Sequence, residues 1–412
     1  PITGRIKVTD HFDSSVVMRG FPPPLVRRVT LENWRTVPYS HWAFRNIRQL
    51  LPTAQVSRGE AVRKDIVSQQ IGLEHLPFEG VDGKETCLMD FLQDSHTNGF
   101  AVLYDDRLVF EHYAHGLTRD SAHILFSVTK SVTATLIGVL TEQGFLDPDS
   151  LVCQYLPEVE GSVYADARVR HLLDMTVGVH FNEDYENETG DFARYRLATG
   201  WLPPSDPAVI DNLRDFLLTL KKDGEHGEVF HYVSPNTDLL GWLIERVTGT
   251  PYANVLSDAL WKPMGAGHDA YINVDRVCAP RAAGGLCMTL QDLIRFGRLH
   301  LPVGTDTSPI IVPGRWLQGM REDHDPVALD HGNTWDGSSF ADFMPGWRYR
   351  DAWYVSPNGA YGGLGVFGQY LYVDPNTGVV IAKFSAQPRA LDHQLNSATY
   401  RAFAAIGEFL TR

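Results

Sequence analysis

Ser127-Val128-Thr129-Lys130 is the one Ser-x-x-Lys in the 412 residues. It follows the apolar run Ile124-Leu125-Phe126 and opens an amphipathic stretch, Val128 to Gln143, that stops at Gly144. Positions three apart share a helix face, so the spacing predicts a hydroxyl and an ammonium projecting together, one turn apart. The first turn of a helix carries unpaired N–H groups and the positive dipole end, which favour an alkoxide and a developing oxyanion. The pair reads as a nucleophile beside its own proton acceptor. A serine at a helix start is more often a plain N-cap, so the reading needs partners elsewhere in the chain.

Two further features supply them. His231-Tyr232-Val233-Ser234 stands in a loop just before a helical pattern, Thr237 to Val247, that ends at Gly249. A phenol beside an ammonium is expected to lose its proton more readily than in water. Tyr232 could then take the serine proton and hand it to a leaving amine or alkoxide. Tyr354-Val355-Ser356-Pro357-Asn358 repeats the letters of Tyr232 to Asn236 but leads into a glycine-rich strand. Tyr354 and its neighbour Trp353 are therefore read as cleft lining. The third feature is Gly362-Gly363-Leu364-Gly365-Val366-Phe367-Gly368. Glycines let a strand backbone approach a ligand closely, and an N–H from this strand could join that of Ser127 in an oxyanion hole.

The elements that must hold these residues are legible in outline. Phe100–Tyr104 and Leu108–Tyr113, joined by Asp105-Asp106, predict a β-hairpin. Gly368–Val373 and Val379–Phe384 predict a second, and Asp392–Leu410 a terminal helix. Between the hairpins lie helical patterns at Ser127–Gln143, His171–Met175, Ile210–Lys221, Thr237–Val247, Tyr252–Leu260 and Thr289–Leu299. This predicts an α+β fold: an antiparallel sheet built from both ends of the chain, flanked by helices, with an inserted all-helical lobe. The expected divisions are 1–90 as an extension wrapping the core, 91–130 with 255–412 as the sheet lobe, and 131–254 as the helical lobe. A cleft between such lobes is where a site forms.

Bulk properties exclude several classes. The net charge of −14 argues against nucleic acid or an anionic membrane as partner. No apolar run is long enough to span a bilayer. Four scattered cysteines without a C-x-x-C, and no hydrophobic leader in the first residues, make a cytoplasmic protein with free thiols the expectation. His112 with His115, and Glu322-Asp323-His324-Asp325, lack metal-site spacing. No metal or other cofactor is expected. No G-x-S-x-G elbow is present, which removes the α/β-hydrolase reading.

The order Ser-x-x-Lys, Tyr-x-Ser, then a glycine-rich strand ahead of a terminal helix resembles the serine β-lactamase and penicillin-binding fold. The nearest form is that of class C β-lactamases and β-lactamase-like carboxylesterases. Trp42-Ala43-Phe44-Arg45, Leu51 to Arg58, Gly161 to Tyr164, Leu173 to Met175, Asn182 to Tyr185 and Tyr232 to Asp238 look like the 6-aminohexanoate-dimer (nylon oligomer) hydrolase branch. The likeness runs from about Trp34 to the end. It implies Ser127 as the acylated nucleophile and Lys130 with Tyr232 as the proton relay. Ser234 would take the third place of the Tyr-x-Ser element, Gly363-Leu364-Gly365 the Lys-Thr-Gly slot, and the amides of Ser127 and Val366 the oxyanion hole. Tyr185 would contact the scissile amide and the leaving amine. A homodimer is implied by the same resemblance.

Two departures shape the expected substrate. Gly363 stands where β-lactamases carry a lysine for the antibiotic's carboxylate, so β-lactam turnover is expected to be poor. An ungapped count places Arg196 where the nylon-oligomer enzymes hold a substrate ammonium with an acid, whereas a gapped one brings in Asp191. With Arg196 there, an uncharged or anionic acyl compound is expected. The reading is a serine hydrolase cleaving a small linear amide or ester. Substrate-binding residues are expected to be Tyr185, Ser234, Gly365, Arg196, Trp353 and Tyr354. Acyl transfer to an alcohol or amine, a DD-peptidase-like enzyme and a non-catalytic binding module are the alternatives.

Overall fold

The computed structural model describes residues 14–60, 65–203, 212–302, 310–322 and 340–412. Among them, strands β1 (Val67–Ser68), β2 (Thr97–Tyr104), β3 (Arg107–Tyr113), β4 (Arg348–Arg350), β5 (Trp353–Val355), β6 (Tyr361–Gly365), β7 (Gln369–Asp374) and β8 (Val379–Ser385) form one sheet. Its order is β4-β5-β6-β7-β8-β2-β3-β1. Both expected hairpins are present. Asp105 and Asp106 turn the first with φ of +46° and +62°, a backbone that Asp tolerates better than most residues. β8 lies antiparallel to β2, with Lys383 opposite Phe100, so the chain's two ends do share one sheet. Only the short edge pair β1 and β3 is parallel among its neighbouring strands.

Four helices matter for the site: α1 (Val128–Glu142), α2 (Ser234–Thr248), α3 (Leu290–Arg298) and α4 (His393–Leu410). α3 and α4 cover opposite faces of the sheet. Alternate residues of a strand point to opposite sides, and a Cβ on Gly297 of α3 would lie 2.5 Å from Val380 and 2.9 Å from Leu371. Tyr370 and Tyr372 instead meet Phe403 of α4. α4 begins where Asp392 accepts from the Leu395 amide at 3.0 Å. The expected helix Ile210–Lys221 is shorter, Leu213–Leu218, because Asn212 caps it through the Asp215 amide; Ile210 itself is outside the described residues.

α1 differs from its sequence pattern. It reads as amphipathic, yet every residue from Val128 to Leu140 is buried. Its polar side chains are satisfied internally instead. Thr133 donates to the Ala282 carbonyl at 2.8 Å and Ser131 to that of Ala352 at 2.8 Å. Hydroxyls read as a solvent face from sequence are here hydrogen-bonded to neighbouring backbone, which removes the cost of burying them. Part of the N-terminal segment packs against the core. Trp34 and Phe44 join Phe126, Trp201 and Phe367 in an apolar cluster. No helix of the described residues is long and apolar enough to cross a membrane.

Lys383 is the costly residue of this core. It sits opposite Tyr370 in the middle of the sheet, fully buried, and donates to the Ser385 hydroxyl. Burial lowers its pKa from 10.5 to about 7. Between those values the unfolded chain holds a proton that the folded chain does not, so stability rises with pH across that window. Below about pH 7 the penalty is fully present. Lys383→Met should therefore raise Tm at pH 6 to 7, with the gain shrinking toward pH 10, in thermal melts across that range. A gain or loss independent of pH would contradict this account of Lys383.

Candidate active site

Ser127 is the N-cap of α1, and its approach is unusual. Phe126 has φ of +44°, a left-handed conformation that costs a non-glycine residue about 1–3 kcal/mol. Aromatic packing holds it there. Its ring lies 5.0 Å from Phe44, 5.4 Å from Phe367, 5.9 Å from Trp201 and 6.1 Å from Trp34, centroid to centroid. The flanking backbone is tied on both sides, Ile124 N–H to the Phe44 carbonyl and Leu125 N–H to that of Leu286, each at 2.9 Å. Residues Trp34 and Phe44 of the N-terminal segment thus help clamp the turn that presents Ser127.

Lys130 is 1% exposed. Its amine donates to Ser127 Oγ at 3.0 Å, Ser234 Oγ at 2.9 Å and the Ala283 carbonyl at 2.9 Å. Three acceptors exhaust the three protons of an ammonium. Burial is the largest influence on it and brings the pKa down from 10.5 to about 8. Glu183 and Asp238 act upward and Arg281 downward. The Ala283 carbonyl is itself fixed: Asp238 accepts from the Ala283 amide at 2.7 Å and is paired with Arg281. A buried amine with a value this near neutrality can give up its proton and act as a base.

Tyr232 lines the cavity beside Ser127, and its ring centroid is 4.9 Å from the Lys130 amine. The structure brings the three residues together. It does not make the phenol acidic. Burial, then Tyr349 and Glu183, push Tyr232 well above the ordinary tyrosine range, and Ser127 only partly opposes them. The expectation of a readily ionised Tyr232 is corrected: enclosure and neighbouring negative charge outweigh the cation. Of the two groups beside Ser127, Lys130 has its pKa lowered and Tyr232 has its pKa raised.

Gly365 lies against the nucleophile. A Cβ there would stand 2.5 Å from the Leu125 carbonyl oxygen and 3.2 Å from the Ser127 nitrogen. Only glycine lets β6 come this close. Ser127 and Val366, the residue after Gly365, both line a cavity of about 510 Å³ together with Glu183, Tyr185, Tyr232 and Tyr354. Gly363 faces α1, where a Cβ would lie 3.0 Å from Ser131 Oγ and 3.4 Å from Val128 Cα. A side chain at that position would press on the first turn of α1.

Other expected residues fall elsewhere. Trp353 is fully buried beside Phe296, His300 and Tyr361 and is core. Arg196 donates to the Asn187 carbonyl at 3.1 Å and lies 5.3 Å from the Phe192 ring, outside the cavity wall. Asp191 pairs with Arg194 at 3.5 Å and does not line the cavity either. Among the described residues no group of three His, Cys, Asp or Glu is placed to hold a metal, and Asp323-His324-Asp325 lie outside them. Two participants were not singled out in the sequence: Glu183, which receives both the backbone N–H and the hydroxyl of Ser234, and the Asp238–Arg281 pair behind Ala283. Only the Asn182-Glu183-Asp184-Tyr185 motif hinted at the first.

Known proteins share this chain's sequence and fold. The beta-lactamase family model matches residues 86–405. The chain is 34% identical over 373 residues to a 6-aminohexanoate-dimer hydrolase of Paenarthrobacter ureafaciens, covering 89% of this chain and 91% of that protein. It is 28% identical over 298 residues to penicillin-binding protein 4 of Amycolatopsis lactamdurans, covering 65% and 72%. A solved structure from Bacillus anthracis, provisionally named a 6-aminohexanoate-dimer hydrolase, superposes with a TM-score of 0.83 at 26% identity, covering 94% of this chain and 98% of that one. The chain belongs to the beta-lactamase family and is a serine hydrolase of that fold.

An amine with a pKa of about 8, acting as the base, predicts the direction of the pH profile. The rate of Ser127 labelling by a fluorophosphonate should climb from pH 6 and level off above Lys130's midpoint. Lys130→Met should lower it by roughly 100-fold or more, the usual weight of a general base. A labelling rate that falls between pH 6 and pH 9 would contradict the assignment of Lys130 as the base.

Proposed function

We propose that this member of the beta-lactamase family cleaves a small linear amide or ester through an acyl intermediate on Ser127. The observation that carries the reading is the buried Lys130 amine 3.0 Å from Ser127 Oγ. Deprotonated Lys130 takes the hydroxyl proton as Oγ attacks the carbonyl carbon. The carbonyl oxygen becomes an oxyanion between the amides of Ser127 and Val366. Tyr232 gives its proton to the leaving nitrogen or oxygen and is resupplied from Lys130, so the carbon–heteroatom bond breaks without releasing an unprotonated amide anion. Water, deprotonated by the same relay, then attacks the acyl-serine and restores the hydroxyl.

The cavity wall bears on the substrate's far end. Its carboxylates are Glu183, Asp223, Glu225 and Glu228, and among the described residues no lysine or arginine lines it. Such a wall disfavours an anionic group and suits a neutral or cationic one. This replaces the expectation drawn from Arg196, whose guanidinium is engaged elsewhere. The same argument weighs against β-lactams, whose carboxylate finds no cation at Gly363.

Tyr185 bears on the bond cleaved. Its hydroxyl donates to Glu183 at 2.6 Å and stands at the cavity wall, and a phenol oxygen can also accept. An amide N–H can donate to it; an ester oxygen cannot. Matched amides and esters of one acyl chain should therefore separate the variants. Ser127→Ala should abolish both activities. Tyr185→Phe should cost the amide about 3–10-fold more in kcat/KM than the ester, the worth of about one hydrogen bond. Equal losses on both substrates would remove the assigned role of Tyr185, and turnover by Ser127→Ala would remove the acyl-serine.

A further inference from the structure

Glu183 has no part in the relay just described, yet it is the carboxylate around which the site is wired. It is 7% exposed and accepts three hydrogen bonds of 2.6 Å, from the Ser234 backbone N–H, the Ser234 hydroxyl and the Tyr185 hydroxyl. Ser234 is the first residue of α2, so the carboxylate also meets the positive end of that helix, where an anion is favoured. An ionised carboxylate only accepts. The Ser234 proton must therefore point at Glu183, which turns the Ser234 lone pair toward the Lys130 amine 2.9 Å away. Without the carboxylate that hydroxyl is free to rotate and can compete with Lys130 as a donor.

Resting on the acyl-serine reading above, we propose that Glu183 is a positioning residue for acylation. It locks Ser234 as an acceptor that aims the Lys130 amine at Ser127, and it supplies the negative charge facing that amine across Ser234. Two other charged groups face Lys130, Asp238 from α2 and Arg281, and these are paired with each other. Among the described residues Glu183 forms no ion pair with an arginine or lysine; its donors are the neutral hydroxyls and amide named above. Its charge acts on Lys130 across Ser234 and also reaches Arg281. Tyr232, Tyr354, Tyr349 and His231 feel the same charge.

The consequence has a definite sign. A negative neighbour favours the protonated amine. Removing it makes Lys130 easier to deprotonate, so the rising limb of the pH profile moves to lower pH even as the rate falls. Tyr232 moves in the same direction, because the charge that opposes its ionisation is gone. A residue that merely supports the fold would lower rate and stability and leave the limb where it is.

The test is the fluorophosphonate labelling rate of Ser127 from pH 5.5 to 10 in the full chain. In Glu183→Gln, which keeps the shape, the half-point should fall by about half a unit or more, with the plateau reduced about 10-fold. Glu183→Asp keeps the charge but cannot reach all three donors; its half-point should stay near that of the unaltered protein while the plateau drops about threefold or more. An unmoved or raised half-point in Glu183→Gln would overturn the proposal. Should Glu183→Gln not fold, an undiminished plateau in Glu183→Asp would do so. Absence of any labelling in the unaltered protein would instead overturn the acyl-serine reading.

Discussion

Everything at this site depends on one amine being taken out of water. Lys130 is enclosed at the first turn of α1 with each of its three protons assigned to an oxygen. Burial makes the charged form expensive, and Glu183 with Asp238 keeps that expense from becoming complete. The balance leaves a base whose strength suits a neutral medium. A fully solvated lysine would stay protonated beside the serine; one buried without carboxylates nearby would be neutral but weakly held. Lys383 is the contrast within the same chain. It is buried without any carboxylate among the influences on it, is lowered further, and sits where no substrate reaches.

The architecture serves that enclosure. α1 is covered on every side, so its first turn cannot be exposed except at the cavity. The stretch from Ala282 to Leu286 holds it from one direction, receiving Thr133 and Lys130 on carbonyls and sending the Leu286 amide to Thr129. β6 closes on it from another through a strand that has no side chains at Gly363 and Gly365. The aromatic cluster built from the N-terminal segment fixes the left-handed Phe126 from a third. The strain of that residue is tolerated because four rings over-determine its position.

Much of this was legible before any coordinates. The Ser-x-x-Lys spacing, the tyrosine before a helix and the glycine run each carry a local physical reason, and the hairpins and terminal helix follow from alternation and turn residues. Ser127, Lys130, Tyr232 and Gly365 accordingly meet where their types suggested. What sequence could not show was environment. Tyr232 looked acidic because its partner cation was visible and its enclosure was not. Arg196 looked like a cavity residue because counting along a chain says nothing about which side of the helix Asp191–Ala198 faces the substrate. Trp353 looked like lining because aromatic residues serve core and cleft alike. Glu183 escaped notice because a lone carboxylate in an acidic loop gives no sign that it will be buried against a helix terminus.

The central claim is a property of one nitrogen, and it can be measured at that nitrogen. An NMR titration of the 15N-labelled Lys130 side chain, assigned by comparison with Lys130→Met, reads its protonation without substrate or turnover. The account predicts a midpoint close to 8. A midpoint at the ordinary lysine value of 10.5 would contradict it, since the amine beside Ser127 would then be no base at neutral pH.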